Sequence, residues 1–256
     1  MDVATWNVNS IRAHLDHLLK WLAVAKPDVL CIQETKVVDA LFPHAELEAA
    51  GYVHRAIHGQ KTYNGVALIS KRPISDVALG FTIGAPDDQA RLVRATVDGV
   101  VIFGAYCPNG NPIGTEKYTY KLAWYERLHA ELLTLDPSTP VLVCGDFNVA
   151  PEDADVYDPF EAEGQVLCTA PERAAWCKLV DWGLVDLYRK RHPFGSDYSW
   201  WDYRMNGFRN NHGFRIDHVL VTPPLAARCT KVWIDRAPRA VEKASDHAPV
   251  IASFTA

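Results

Sequence analysis

Apolar residues in this chain come in short dense runs that stop abruptly on polar ones, and the run from Val141 to Cys144 is the clearest. It ends at Gly145 and is followed at once by Asp146 and Asn148, with Pro151 closing the turn. The pattern is that of a strand delivering polar groups to a sheet edge. Alternation along extended backbone puts Asp146 and Asn148 on one side and Phe147 on the other, so a carboxylate and an amide can reach one ligand atom. The carboxylate can take a proton or bind a metal, whereas the amide can only hydrogen-bond. An Asx turn after a core strand accounts for Gly-Asp-x-Asn equally well. The rest of the chain has to decide between the two.

Asp2 to Val8 reads as a strand feeding the loop Asn7-Val8-Asn9-Ser10. Ser10 is placed to cap a helix whose apolar positions Ile11, Leu15, Leu18, Leu19 and Leu22 keep helical spacing up to Lys26-Pro27. Asp28 to Gln33 is the next strand, ending in Glu34-Thr35-Lys36. Two strand ends joined by one helix are the arithmetic of a layered α/β fold, in which polar groups collect at one rim. A short helix near His44 to Ala50 precedes strands at Tyr52 to His58, Gly65 to Ser70, Leu92 to Val97 and Val100 to Tyr106, spaced closely enough for antiparallel pairing. Helical periodicity returns from Thr115 to Leu135 and across Pro171 to Trp182. Further strands are predicted near Tyr198 to Trp201, Phe214 to Val221, Arg228 to Ile234 and Pro249 to Phe254. With no linker, low-complexity segment or fixed-period repeat, residues 1–256 read as one domain.

A formal net charge of −5 argues against a partner held by bulk positive charge, but not against local basic patches or a bound cation meeting phosphate. The six cysteines form no Cys-x-x-Cys pair, and Cys31, Cys107 and Cys144 lie in or beside apolar runs, which reads as reduced, buried thiols in a cytoplasmic protein. The N-terminus has no basic leader and no apolar run approaches about 18 residues, so neither export nor membrane insertion is expected.

Candidate chemistry gathers where strands or tight turns end: Asn7, Glu34, Asp146, Asn148, Asp217 and Asp246, with His247 beside the last. Glu34 is a carboxylate able to hold a hard divalent cation, and Asn7 and Asp246 could add ligands or hold its waters. An oxygen-rich set of this kind suits magnesium or manganese. No His/Cys cluster has zinc spacing. Asp217 and Asp246 are both candidates to pair with His247; a carboxylate on one ring nitrogen fixes the tautomer and favours the cation, which can stabilise a phosphoryl oxygen. A lone Asp-His dipeptide is more often surface decoration, but several such sites recur at strand ends here.

The segments Trp6-Asn7-Val8-Asn9-Ser10-Ile11-Arg12, Gln33-Glu34-Thr35-Lys36, Tyr63-Asn64-Gly65-Val66-Ala67, Tyr106-Cys107-Pro108-Asn109-Gly110, Gly145-Asp146-Phe147-Asn148, Arg215-Ile216-Asp217 and Ser245-Asp246-His247-Ala248-Pro249-Val250 resemble, in order and nearly end to end, the exonuclease III family of AP endonucleases. The resemblance implies a four-layered α/β sandwich of two mixed, mainly antiparallel sheets flanked by helices. It implies Glu34 as the main ligand of Mg2+, for which Mn2+ can substitute, with Asn7, Asn9 and Asp246 near the cation. It further implies that Asp146 activates or aligns the attacking water, Asn148 orients it, and His247, held by Asp217, contacts the scissile phosphate opposite Tyr106 and Asn109. Trp200, Phe214 and Ile216 match positions lining a pocket for a base-less sugar, and Arg204 lies in a basic stretch suited to phosphate contacts.

The implied partner is double-stranded DNA carrying abasic sites or blocked 3′ ends, met by a monomeric cytoplasmic enzyme that joins the nucleoid when acting on DNA. Two other readings compete. One is a phosphatase or phosphodiesterase of the wider superfamily acting on a phospholipid or inositol phosphate; the other is a nucleic-acid-binding module that has lost catalysis. The aromatic and basic residues from Trp200 to Arg215 disfavour the first, and the full set of expected catalytic groups disfavours the second.

Overall fold

Most of the dense apolar runs become strands, and the strands assort into two six-stranded sheets. In the computed structural model, whose described residues are 1–255, the chain runs β1 (Asp2–Asn7), α1 (Leu15–Ala25), β2 (Val29–Gln33), α2 (His44–Ala49), β3 (His54–His58), β4 (Val66–Ser70), β5 (Ser75–Leu79), β6 (Leu92–Val97), β7 (Val100–Tyr106), α3 (Glu116–Leu132), β8 (Val141–Asp146), α4 (Pro159–Ala162), α5 (Ala170–Asp181), β9 (Val185–Asp186), α6 (Leu187–Arg191), α7 (Gly207–Asn210), β10 (Asp217–Val221), α8 (Pro223–Arg228), β11 (Cys229–Ile234) and β12 (Val250–Phe254). Strand order is β11-β12-β1-β2-β4-β3 in one sheet and β5-β6-β7-β8-β10-β9 in the other. Only β1 with β2 and β7 with β8 pair in parallel; the remaining pairs are antiparallel. No helix among the described residues is long and apolar enough to cross a membrane.

Side-chain parity explains the layers. In β2, Leu30 and Ile32 pack with Leu18, Trp21 and Leu22 of α1, whereas Val29 and Cys31 face the second sheet. In β8, Leu142 and Cys144 meet the first sheet, and Val141 and Val143 pack under Trp124 and Leu128 of α3 and Trp176 and Leu179 of α5. Helix, sheet, sheet and helix therefore stack as four layers. Because each central strand is covered on both faces, it reads as an unbroken apolar run rather than an alternating one.

Register brings the polar strand ends to one rim. β1 and β2 run parallel and end together at Asn7 and Gln33; β7 and β8 end together at Tyr106 and Asp146. Asp217 begins its strand rather than ending one, but β10 is antiparallel to β8 and sets Asp217 opposite Asp146. β12 enters beside Thr5 of β1, so the preceding Ser245 to Pro249 lie at the same rim. At Gly145 a side chain has no room: a Cβ there would lie 1.8 Å from the carbonyl oxygen of Ala105 on the neighbouring strand.

Three sequence expectations change. Ser10 does not cap α1, which starts at Leu15; Ser10 has φ +90° and its hydroxyl accepts only from the Ala13 amide, closing a turn ahead of the helix. Tyr198 to Trp201 is not a strand, since Trp200 makes only isolated bridges to Phe214 and His247. β5 escaped prediction because as a mostly exposed edge strand it has no apolar run to reveal it.

Candidate active site

Asn7, at the end of β1, is fully buried and its amide ties two carboxylates together. Nδ2 donates to Glu34 Oε1 at 2.8 Å and to Asp146 Oδ2 at 2.9 Å, while Oδ1 accepts from the Asn9 amide at 3.0 Å. Asn9 Nδ2 donates to Asp246 Oδ1 at 3.0 Å, and the other Asp246 oxygen accepts from the Trp200 indole at 2.9 Å. Across the rim, Asn148 Oδ1 accepts from Asn109 Nδ2 at 3.0 Å, and Asn148 Nδ2 donates to the Cys107 carbonyl at 2.9 Å. Asn9, Glu34 and Asn148 all have positive φ, +45°, +54° and +48°. Backbone held in that region by ordinary residues is costly, and such residues gather where geometry serves a site.

His247 bonds through Nδ1 to Asp217 Oδ2 at 2.8 Å and turns Nε2 toward Asp146 Oδ2, 3.8 Å away. Of the two candidate partners it is thus Asp217 that orients the ring, while Asp246 bonds to Asn9 and Trp200. Ser199 holds Asp217 in turn, its hydroxyl accepting from the Ile216 and Asp217 amides. Burial alone would lower the His247 pKa, yet Asp217 and Asp146 outweigh it and push it up to about 10. Burial pushes the Asp146 carboxyl up to about 7, helped by Asp217 and Glu34 and opposed by His247. Burial would also raise Glu34, but Lys36 and the Asn7 amide hold it below its usual range. The Tyr106 phenol is pushed well up by burial and by Glu34 and Asp146, which keeps its proton available for donation.

Nine of the sequence-predicted residues, Glu34, Tyr106, Asn109, Asp146, Asn148, Trp200, Ile216, Asp246 and His247, line one cavity of about 200 Å3. Asn7 and Asp217 stand immediately behind it, and Asn9 is joined to it through Asp246. Phe214 and Arg204 sit elsewhere. Both line a neighbouring, largely apolar cavity of about 820 Å3, with Phe214 behind Trp200 at a ring separation of 5.7 Å and Arg204 outward in a 2.8 Å ion pair with Asp202.

Two residues were missed. Leu167 lines both cavities in a left-handed conformation, φ +80°, and nothing in its sequence neighbourhood marks it. Lys36, within the quoted Gln-Glu-Thr-Lys segment, places Nζ 2.8 Å from Glu34 Oε2 and 2.5 Å from Asn9 Oδ1, and its charge beside Glu34 was the available signal.

The residues fit a divalent cation. Ligand atoms of Glu34, Asp146 and His247 lie within 4.8 Å of one another, and of these the two carboxylates are the ones able to hold an ion, since His247 is pushed up to about 10 by Asp217 and Asp146 and keeps its proton. An ammonium, Lys36, already bridges Glu34 and Asn9 on the side where Asp246 adds a further oxygen.

A family model described as the endonuclease/exonuclease/phosphatase family matches residues 4–247. The chain belongs to this family. It is similar to exodeoxyribonuclease III of Haemophilus influenzae, 38% identical over 99% of this chain and 100% of that protein. Among solved structures it is similar to an AP endonuclease from Archaeoglobus fulgidus, with TM-score 0.96 and 42% identity, and to the 3′ phosphatase NExo from Neisseria bound to a product DNA hairpin, with TM-score 0.96 and 40% identity; each pairing covers both chains in full. The two six-stranded sheets flanked by helices are thus the fold of that AP endonuclease. The cavity between Glu34 and His247 is this chain's candidate centre for phosphoester cleavage.

Proposed function

We propose that the protein is a Mg2+-dependent DNA repair nuclease that cleaves the phosphodiester 5′ to abasic sites in duplex DNA. The same centre would act on blocked 3′ ends, with 3′-phosphatase, 3′-phosphodiesterase and 3′ to 5′ exonuclease activity. One observation carries this reading. Asp146 and His247, 3.8 Å apart, share one cavity of about 200 Å3 with Glu34, Tyr106, Asn109, Asn148 and Asp246, and Trp200, Ile216 and Leu167 supply its apolar part. Similarity to proteins described as exodeoxyribonuclease III, AP endonuclease and 3′ phosphatase supports it.

Asp146 takes the proton of the attacking water, for which a pKa near neutrality is the efficient value. Asn148 Oδ1, which accepts from Asn109, has a second lone pair free to receive a water proton and so aim the nucleophile. The spare N–H of Asn109, the Tyr106 hydroxyl and the cationic Nε2–H of His247 donate to phosphoryl oxygens, and these bonds strengthen as charge develops in the transition state. Asp217 fixes the His247 tautomer and its charge. A magnesium ion held by Glu34, with Asn7, Asn9 and Asp246 near it, would polarise the phosphoryl oxygen and neutralise the leaving group. Selectivity for a missing base falls to Trp200, Ile216 and Leu167, since a small apolar pocket admits an extruded deoxyribose and leaves no room for an attached base. Every group in this scheme comes from one chain, so a monomer suffices.

The test is product analysis on a duplex carrying one abasic site, with and without magnesium. The expected products are a 3′-hydroxyl and a 5′-deoxyribose phosphate, formed only with Mg2+ or Mn2+ present. Phosphate release from inositol polyphosphates, with DNA left intact, would overturn the reading.

A further inference from the structure

Lys121 is an ammonium with no exposure at all, lying in α3 directly behind the candidate site. Its Nζ donates to the backbone carbonyl of Asn109 at 3.0 Å and of Asn148 at 2.6 Å, and its third partner is Glu172 of α5, also fully buried. Three donors meet three acceptors, so the group is wholly spent inside the protein and cannot itself reach a substrate. Glu172 passes the connection on: it accepts from the Leu167 amide at 3.2 Å, the Thr169 amide at 3.0 Å and the Thr169 hydroxyl at 2.7 Å. The stem is clamped as well as the head. A Cβ at Gly110, where φ is +83°, would lie 2.8 Å from Lys121 Cδ.

The three segments joined by this one ion pair each carry a residue that lines the 200 Å3 cavity: Asn109, Asn148 and Leu167. Stability alone is a poor reason for the arrangement, because taking two charges out of water roughly cancels their attraction and apolar replacements of buried pairs are often neutral or stabilising. What an apolar pair cannot do is bond to two carbonyl oxygens at once and fix the separation of the loops that bear them.

We infer that Lys121 is a positioning residue, which with Glu172 sets the Asn109 and Asn148 amides at the spacing the reaction requires and ties the Leu167 wall to them. The inference rests on the proposed nuclease reading. It predicts that loss of Lys121 acts on turnover rather than on DNA affinity, since small misplacements of groups around a reacting centre cost on the order of 10²-fold.

Three variants test it: Lys121→Met, the double variant Lys121→Met/Glu172→Gln, and Glu131→Gln as a control. Glu131 is equally buried on the same helix, but it accepts from the Thr82 amide and hydroxyl and the Ile83 amide, away from the site. Lys121→Met is expected to lower kcat on an abasic duplex about 10²-fold with KM within about threefold. In the double variant, which removes the stranded buried charge, the melting temperature should recover while kcat stays low. Glu131→Gln should lower the melting temperature with kcat within about twofold. Recovery of kcat together with stability in the double variant would overturn the inference, as would a loss in Lys121→Met no deeper than in Glu131→Gln. Amide hydrogen exchange at residues 107–110 and 148–150, faster in both Lys121 variants than in the control, reads the positioning without any substrate. If the unsubstituted protein cleaves no DNA, the nuclease reading fails, and unchanged exchange at those loops would sink the positioning role separately.

Discussion

Arg215 and Asp217 stand two residues apart, yet they belong to buried charge clusters of opposite character. Around Arg215 the charges balance. Its guanidinium bonds to Asp155 at 2.6 and 3.0 Å, to Asp186 at 2.8 Å and to His218 Nδ1 at 2.8 Å, and Arg189 adds a second cation against Asp155. Since arginine can only donate, His218 accepts on Nδ1 and keeps its proton on Nε2, where it meets the Val149 carbonyl. Burial would raise Asp186, but Arg215, with the Arg189 amide, pulls it well below the usual carboxylate range. Around Asp217 the balance is negative: Asp146, Glu34 and Asp246 crowd His247 and Lys36, the Asp146 carboxyl is pushed up to about 7, and Asp217 Oδ1 is buried without a hydrogen-bond partner among the described residues. Burial pushes both aspartates up; at Asp186 the arginine overrides it, whereas at Asp146 it prevails, with Asp217 and Glu34 adding to it against His247. Structural ion clusters are neutralised; a site that must bind a cation and move a proton is left charged.

The largest expected effect breaks the symmetry from the site's side. Asp146→Asn removes the proposed proton acceptor and is expected to lower kcat on an abasic duplex by about 10³-fold, within the range general base catalysis supplies. It also relieves a crowded carboxylate, so the melting temperature should hold or rise, a common cost of activity in the wild-type protein. Single-turnover cleavage and a thermal melt decide together. A melting temperature that drops as Arg215→Met drops it would place Asp146 among the structural charges.

Arg215→Met is the converse. Removing the guanidinium from this largely buried network leaves Asp186 without its arginine and Asp155 with Arg189 alone, a loss on the order of 3 kcal/mol in urea unfolding. The same network predicts a pH dependence. Asp186 is depressed in the folded state, so its contribution is present above the unfolded carboxylate pKa of about 3.9 and drains away as pH falls through the lower folded value. Asp186→Asn should therefore be less stable than the wild type at pH 7 and lose less on going from pH 5 to pH 2. Equal acid slopes in the two proteins would remove Asp186 from the account.

Legibility in the sequence follows the same division. Glu34, Asp146 and His247 could be found because a site at a rim interrupts apolar strands with polar residues, and each interruption shows as a motif. Asn148 sits at φ +48° rather than in a strand, yet Phe147 is fully buried on the helix side and both polar neighbours still line the cavity, as alternation required. Lys121 and Glu172 left no such mark. In a helix of mixed polarity a buried lysine looks like any solvated one until tertiary packing covers it. The false cap at Ser10 and the missed β5 fail for the complementary reason: local chemistry was overridden by a turn in one case, and an exposed edge carried no pattern in the other.

The smallest expected effect asks whether the apolar wall is divided as the charges are. Trp200 belongs to the small cavity and, through its indole bond to Asp246, to the acidic cluster; Phe214 touches neither and packs edge-on against Trp200 at 5.7 Å and against Tyr157 at 5.9 Å. Phe214→Ala should thus act through Trp200, loosening one side of the indole while its hydrogen bond holds the other. An aromatic pair of this geometry is worth about 0.5 to 1.5 kcal/mol beyond the area it buries. If that energy holds the indole in place, the ratio of abasic to undamaged-site cleavage should fall by roughly twofold to tenfold, with cleavage of undamaged duplex itself nearly unchanged. Some thermal stability goes with any such truncation, so discrimination is the measurement that matters. Equal losses on every duplex would make Phe214 a packing residue alone and leave selectivity to Trp200, Ile216 and Leu167, the residues that share the cavity with Asp146 and His247.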